Sequence, residues 1–217
     1  MGALNGTILK FIPDRVLSCK MRTPDGADHG ITTGDLMSHK RVSKIITSKD
    51  EWQTPQWLFD LLDQEFHFQV DAAADEMNSR CGWFLKKGGE FDALTMTSWM
   101  RSDWPQVNTF FLNPPYSAGN IDKFMAKALE ESKKGVVVVC LVPCATDTKW
   151  WHNYAMKAQE IRFIKGRVRF VGYNEKGEQI KNSPTFSSCV VIFKHDPGKD
   201  YRIDTPWIGG TIYQPKR

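Results

Sequence analysis

The 217 residues predict an α/β fold: a mostly parallel central sheet with an antiparallel edge strand. Three observations carry that expectation. Gly135-Val-Val-Val-Val-Cys-Leu-Val142 is a continuous apolar run, as in a central parallel strand buried on both faces. Other short apolar runs alternate with stretches at helical spacing, the pattern of strands joined by crossovers. The last two predicted strands have no helix between them, so they are expected to pair antiparallel at one edge.

The elements follow in order. Residues 1–48 show little periodicity; Pro24-Asp-Gly26 and Thr32-Thr-Gly34 mark turns, and Ser38-His-Lys-Arg-Val-Ser-Lys44 is a small basic cluster. They read as a loosely ordered arm, with a DNA-contacting arm as the alternative. A single domain is expected over 49–200 and a tail over 201–217. Thr54-Pro55 puts a capping-type residue before a proline at a helix start, and Trp57, Leu58, Leu61, Leu62 and Phe66 recur at helical spacing. Phe66-His-Phe-Gln-Val70 alternates like a strand and runs into Asp71-Ala72-Ala73-Ala74. Cys81 to Leu85 is a weaker strand, followed by Glu90-Phe-Asp92-Ala-Leu94. Val107 to Leu112 is a strand ending in the turn Asn113-Pro114-Pro115-Tyr116. Asn120 to Glu131 is amphipathic through Ile121, Phe124, Met125, Ala128 and Leu129. A helix is expected over 149–159, then strands at 160–164, 166–171 and 188–193.

Bulk properties bound the function. Lys and Arg number 29 against 25 Asp and Glu, and the isoelectric point is near 8.7. That mild basicity permits a nucleic-acid partner without requiring one. The five cysteines are scattered, with no metal-binding spacing, and read as reduced thiols. No run reaches membrane-spanning length and no signal peptide is evident, so a soluble cytoplasmic protein is expected.

In a parallel sheet, ligands sit beyond the carboxyl ends of the strands, and the polar residues of interest fall there. The turn at 113–116 is the most specific signal. Proline lacks an N–H donor and fixes the backbone, so the carbonyl of Pro114 and the amide of Asn113 can each accept one N–H from a flat, amino-bearing ring. Tyr116 can stack on that ring; base–aromatic stacking is worth roughly 1–3 kcal/mol. Held this way, the amine presents its lone pair to an electrophile, and an adenine in duplex DNA would have to be flipped out to reach the turn. Asp71 is either a structural strand cap or a ligand contact beside small residues. Asp92 is a loop acid or an acceptor for an adenine amine, and Thr54 a helix cap or a ligand contact. Trp150 and Trp151, beside Lys149, pack a helix onto the sheet, or Asp147 on the preceding loop lines a base pocket. Arg162, Lys165, Arg167 and Arg169 form a solvated face or supply phosphate contacts.

One ordered set of segments goes further: Asp50-Glu-Trp-Gln-Thr54-Pro55, Asp71-Ala72, Asn78, Asp92-Ala-Leu94, Asn113-Pro114-Pro115-Tyr116, Thr146-Asp147-Thr-Lys149-Trp150-Trp-His152, Ile161 to Arg167 and Ser183 to Ser188. This set resembles the phage and prophage DNA N-6-adenine methyltransferase (Dam) family over roughly residues 50 to 195. The resemblance implies a Rossmann-like fold, S-adenosylmethionine as cofactor and adenine in DNA as acceptor, in the cytoplasm of a bacterial host. It implies a catalytic pocket at Asn113, Pro114, Pro115 and Tyr116. Cofactor contacts are implied at Thr54, Pro55, Asp71, Ala72, Ala73, Asp92 and Asn113. DNA contacts are expected at Asp147, Lys149, Trp150, Arg167, Arg169 and Ser183, with the protein a monomer or dimer and no metal. The chain departs from its relatives in having Asp71-Ala-Ala-Ala74 and no glycine-rich cofactor loop. The same turn also occurs in enzymes that methylate RNA or a protein glutamine amide. A non-catalytic DNA-binding phage protein is the third alternative.

Overall fold

A computed structural model describes residues 52–102, 105–117, 119–173, 179–182, 184–194 and 207–213. The predicted arm over 1–48 and Ser183 lie outside the described residues. Seven strands form one sheet: β1 (Val70–Asp71), β2 (Trp83–Phe84), β3 (Thr109–Leu112), β4 (Val137–Pro143), β5 (Glu160–Lys165), β8 (Ser188–Phe193) and β9 (Trp207–Tyr213). Their order is β2-β1-β3-β4-β8-β5-β9. The remaining strands, β6 (Phe170–Tyr173) and β7 (Gln179–Asn182), make a separate antiparallel ribbon. The mixed, mostly parallel α/β sheet is compatible with a Rossmann-like methyltransferase fold.

Apolar residues fill both faces of the sheet because its central strands alternate between two buried environments. Helix α1 (Gln56–Phe66) sets Leu58, Phe59 and Leu62 against Phe111, Val139, Leu141, Val190 and Ile192. On the other face, α2 (Asn120–Lys133) and α3 (Lys149–Asn153) pack Ile121, Phe124, Met125, Trp150 and Trp151 against Phe110, Val138, Cys140 and Val142. A buried ion cluster fixes α2 to the loop before β3. The Glu131 carboxylate, fully buried, pairs with Lys127 at 2.7 Å and Lys134 at 2.9 Å, and accepts the Trp99 N–H at 2.9 Å. Cys81, Cys140, Cys144 and Cys189 are free thiols. Among the described residues no helix is long and apolar enough to cross a membrane.

Several elements differ from expectation, each for a visible reason. Phe66 ends α1 instead of starting a strand: His67 takes a left-handed conformation (φ 51°) and its N–H closes on the Asp63 carbonyl. Phe68 then packs on Phe59 and Phe111, which leaves β1 two residues long. The antiparallel strand β8 is not at an edge; it lies between β4 and β5 and pairs with both. Residues 166–171 do not extend or pair with β5, because Gly166 (φ 85°) turns the chain out into the ribbon. Beyond Asn153 the helix expected to 159 gives way to a single 3-10 turn at Ala155–Lys157. The sequence reading assigned no strand where β9 lies parallel to β5.

Candidate active site

The strand order changes direction between β1 and β3. From β1 the chain passes to β2 on one side, while β3 leads to β4 on the other, so a crevice opens at the carboxyl ends of β1 and β3. Asp71 pairs in register with Phe111, which places Asn113 two residues beyond it on the neighbouring strand. The turn 113–116 and the Asp71 carboxylate therefore share one rim.

Asn113 is oriented from two sides. Its Nδ2 donates to the Trp52 carbonyl at 3.1 Å, and its Oδ1 accepts from the Tyr116 hydroxyl at 2.7 Å. A carboxamide turned over would set its oxygen against the Trp52 carbonyl, so the contacts select one orientation. The same Tyr116 hydroxyl lies 3.0 Å from the Leu141 carbonyl in β4. Burial pushes the Tyr116 hydroxyl well above its ordinary pKa, which keeps it a donor. Its ring meets Phe170 and Phe186 in T-shaped contacts.

Asp71 is 4 % exposed. Burial raises its carboxyl pKa to about 6, against the pull of N–H bonds from Arg80 (3.2 Å) and Ala73 (3.3 Å) and of the Arg80 charge. Around it lies a small cavity of about 20 Å³ lined by Trp52, Thr54, Asp71, Asn78, Arg80 and Asn113, among others. Thr54 does not cap α1, whose N-cap is Pro55; its Oγ1 is buried with no hydrogen-bond partner. A larger cleft of about 380 Å³ adjoins at Ala73 and Asn78 and is bordered by Ala72, Ala74, Asp92, Pro115, Asn120 and Phe124. Asp92 organises its own loop, accepting N–H bonds from Gly88 (2.6 Å) and Leu94 (2.9 Å).

Thr54, Asp71, Ala72, Ala73, Asp92, Asn113 and Pro115 thus line the two connected spaces, while Pro55 is buried at the head of α1. Trp150 is not at the rim; it is on the buried face of α3, packed into the core. Asp147 and Lys149 are exposed on the segment following β4, and Arg167 and Arg169 are exposed between β5 and β6. Arg162 is held by Glu65 and Glu160. Trp52, Gln53 and Arg80 are among the participants missed as site residues; the Trp52 carbonyl holds Asn113. Gln53 hydrogen-bonds its backbone to Val171 of β6 in both directions, at 2.9 and 3.0 Å. Arg80 bridges Asp71 to the Gln53–Gln56 segment. The one signal for Arg80 was its place just after the Asp75–Asn78 turn, where Asn78 Oδ1 accepts the Asp75 N–H. Among the described residues no group of three His, Cys, Asp or Glu side chains could hold a metal ion.

No curated protein matches this chain. Residues 42–203, most of the chain, match the model of the DNA N-6-adenine-methyltransferase (Dam) family, and the chain belongs to that family.

Proposed function

We propose that the protein transfers a methyl group from S-adenosylmethionine to N6 of an adenine flipped out of DNA and held at Asn113–Tyr116. The observation that carries this reading is the fixed Asn113 carboxamide. Tyr116 uses one lone pair of Oδ1, and the second remains for an N–H of the adenine amine. The Pro114 carbonyl takes the other N–H, and Tyr116 and Pro115 border the ring. Two acceptors on one amine draw it toward tetrahedral geometry and localise its lone pair.

The residues present suit the cofactor. Thr54 Oγ1 is a buried hydroxyl lacking a partner, and Asp71 beside it is a carboxylate whose ionisation burial opposes. An ammonium group at Asp71 and a carboxylate at Thr54 would satisfy both. Asp92, Ala72 and Ala73 offer polar and close-approach contacts in the adjoining cleft for a nucleoside. When bound, the cofactor supplies an electrophilic methyl on a sulfonium. Asn113 Oδ1 and the Pro114 carbonyl would hold the amine with its lone pair toward that methyl; the electron pair of the broken C–S bond would stay on sulfur, and one N6 proton would pass to solvent. Positioning supplies much of the rate. Exposed Lys149, Arg167 and Arg169 serve as phosphate contacts, and the exposed Asp147 is a further DNA contact.

The test is incubation with tritiated S-adenosylmethionine and unmethylated DNA, followed by nucleoside analysis. The expected product is labelled N6-methyladenine, with Asn113→Ala losing on the order of 100- to 1,000-fold in rate while still binding DNA. Undiminished transfer by Asn113→Ala would remove the pocket assignment. Cofactor binding without transfer to DNA would move the acceptor to RNA or a protein amide.

A further inference from the structure

The segment Trp52–Gln56 crosses the strand ends as a strap, and its anchors lie on three sides. Toward the ribbon, Gln53 pairs with Val171, and Trp52 stacks on Phe170 (5.7 Å between centroids, 26° between planes). Toward the catalytic turn, the Trp52 carbonyl accepts from Asn113. Toward β1, the strap is held chiefly by the Arg80 guanidinium, with Gln53 Nε2 donating to the Met77 carbonyl at 3.3 Å. Arg80 Nη2 donates to the Thr54 carbonyl at 2.7 Å and lies 3.4 Å from Gln53 Oε1, while Nη1 donates to Gln56 Oε1 at 2.9 Å. The backbone N–H of Arg80 bonds the Asp71 carboxylate. Arg80 therefore joins the end of β1 to the strap, and the strap's next contact is the Asn113 amide.

We propose that Arg80 is a positioning residue for methyl transfer: by pinning the strap to the end of β1, it holds the Trp52 carbonyl where it fixes the Asn113 carboxamide with Oδ1 toward the adenine amine. This rests on the adenine-N6 reading above and adds a residue to it. The planar fork suits the task, since several acceptors are met in one fixed geometry that a lysine ammonium cannot reproduce. On the β1 side, among the described residues, Arg80 supplies three of the strap's four side-chain hydrogen bonds, the fourth being Gln53 Nε2 to the Met77 carbonyl at 3.3 Å. When the Arg80 bonds are lost, that one bond holds the strap beside β1, and the Trp52 carbonyl no longer sits firmly enough to tell the Asn113 oxygen from its nitrogen.

The test compares wild type, Arg80→Met and Arg80→Lys by single-turnover methylation, cofactor calorimetry and hydrogen exchange at the Asn113 side-chain amide, labelled with nitrogen-15. In wild type the Nδ2 proton bonded to Trp52 should exchange slowly. In Arg80→Met that protection should disappear and the methyl-transfer rate at saturating cofactor fall about 10- to 100-fold. Arg80→Lys, which keeps a charge and one donor for the Thr54 carbonyl, should fall between the two; it carries the test if the methionine variant does not fold. Two results would overturn the proposal: an Asn113 amide as protected in the variants as in wild type, or a weakened cofactor dissociation constant with an unchanged transfer rate. The second would make Arg80 a direct cofactor ligand. Failure of wild type to methylate adenine would instead count against the functional reading, and the amide measurement would still decide whether Arg80 orients Asn113.

Discussion

Replacing Asp71 by asparagine removes a charge that the folded chain must keep away from water. The carboxyl pKa rises from 3.8 to about 6, chiefly through burial. A shift of about two units corresponds to roughly 3 kcal/mol. The folded state holds its proton more tightly than the unfolded chain does. Wild-type stability therefore declines as pH rises from about 4 to about 6 and is flat above that, as far as this group is concerned. Asparagine has no such dependence, but its amide can accept only one of the N–H bonds now made by Ala73 and Arg80, a loss of about 1 kcal/mol. The variant should be less stable than wild type by about 1 kcal/mol near pH 4 and more stable by about 2 kcal/mol at pH 7.5. Urea unfolding at pH 4, 5, 6 and 7.5 reads the crossing directly. Under the proposed function, S-adenosylmethionine should raise the thermal stability of wild type and not that of this variant. Parallel stability curves for the two proteins would refute the reasoning, because the carboxylate would then be solvated in the fold.

Two further outcomes are expected. Tyr116→Phe keeps the ring but leaves Asn113 Oδ1 and the Leu141 carbonyl without their shared donor, and should cost about 1 kcal/mol in urea unfolding; single-turnover methylation should also slow. Glu131→Gln takes the closer of two carboxylates from the buried Lys127, leaving Glu130 at 3.6 Å, at a cost of up to about 3 kcal/mol in unfolding at pH 7. Burial opposes Glu131 ionisation, but the bonds from Lys127, Lys134 and the Trp99 N–H outweigh it and hold the pKa below the ordinary value. Its contribution is thus present above about pH 4.3 and is lost as pH falls through the lower folded value. The variant should accordingly show a shallower acid transition than wild type.

The parts of the fold legible in the sequence are those whose signal is local. The apolar run of β4, the amphipathic α2 and the strand leading into Asn113 lie where residue pattern alone puts them. Asp71 at a strand end and the turn at 113–116 were readable for the same reason. What escaped depends on partners far along the chain. Trp207-Ile-Gly-Gly-Thr-Ile-Tyr213 carries two glycines, which weaken a strand signal, and it becomes β9 only because β5 offers an edge. The pattern of Phe66 to Val70 suits a strand, yet Phe66 stacks on Phe68 across a left-handed His67 and the helix takes the residue. Arg80 carried no motif of its own, since the acceptors that define its role lie 24 to 27 residues earlier. Nor could pattern distinguish a capping Thr54 from a buried hydroxyl with no partner.

The sheet is strongly uneven in the lengths of its strand pairings. β1 meets β2 through two residue pairs and β3 through two, whereas β4 and β8 match over six. Opening of native proteins proceeds in cooperative units, and the weakest units open first. In this chain the weak unit carries Asp71, Ala72 and Ala73, while the strong one carries the carbonyl of Leu141 that receives Tyr116. Under the proposed function, the side assigned to the methyl donor is thus the more weakly paired unit, and the side assigned to the base rests on the more strongly paired one. A ligand that bridges Asp71 and the adjoining cleft would slow amide exchange most around β1 and β2, far more than in the already protected β4–β8 pair.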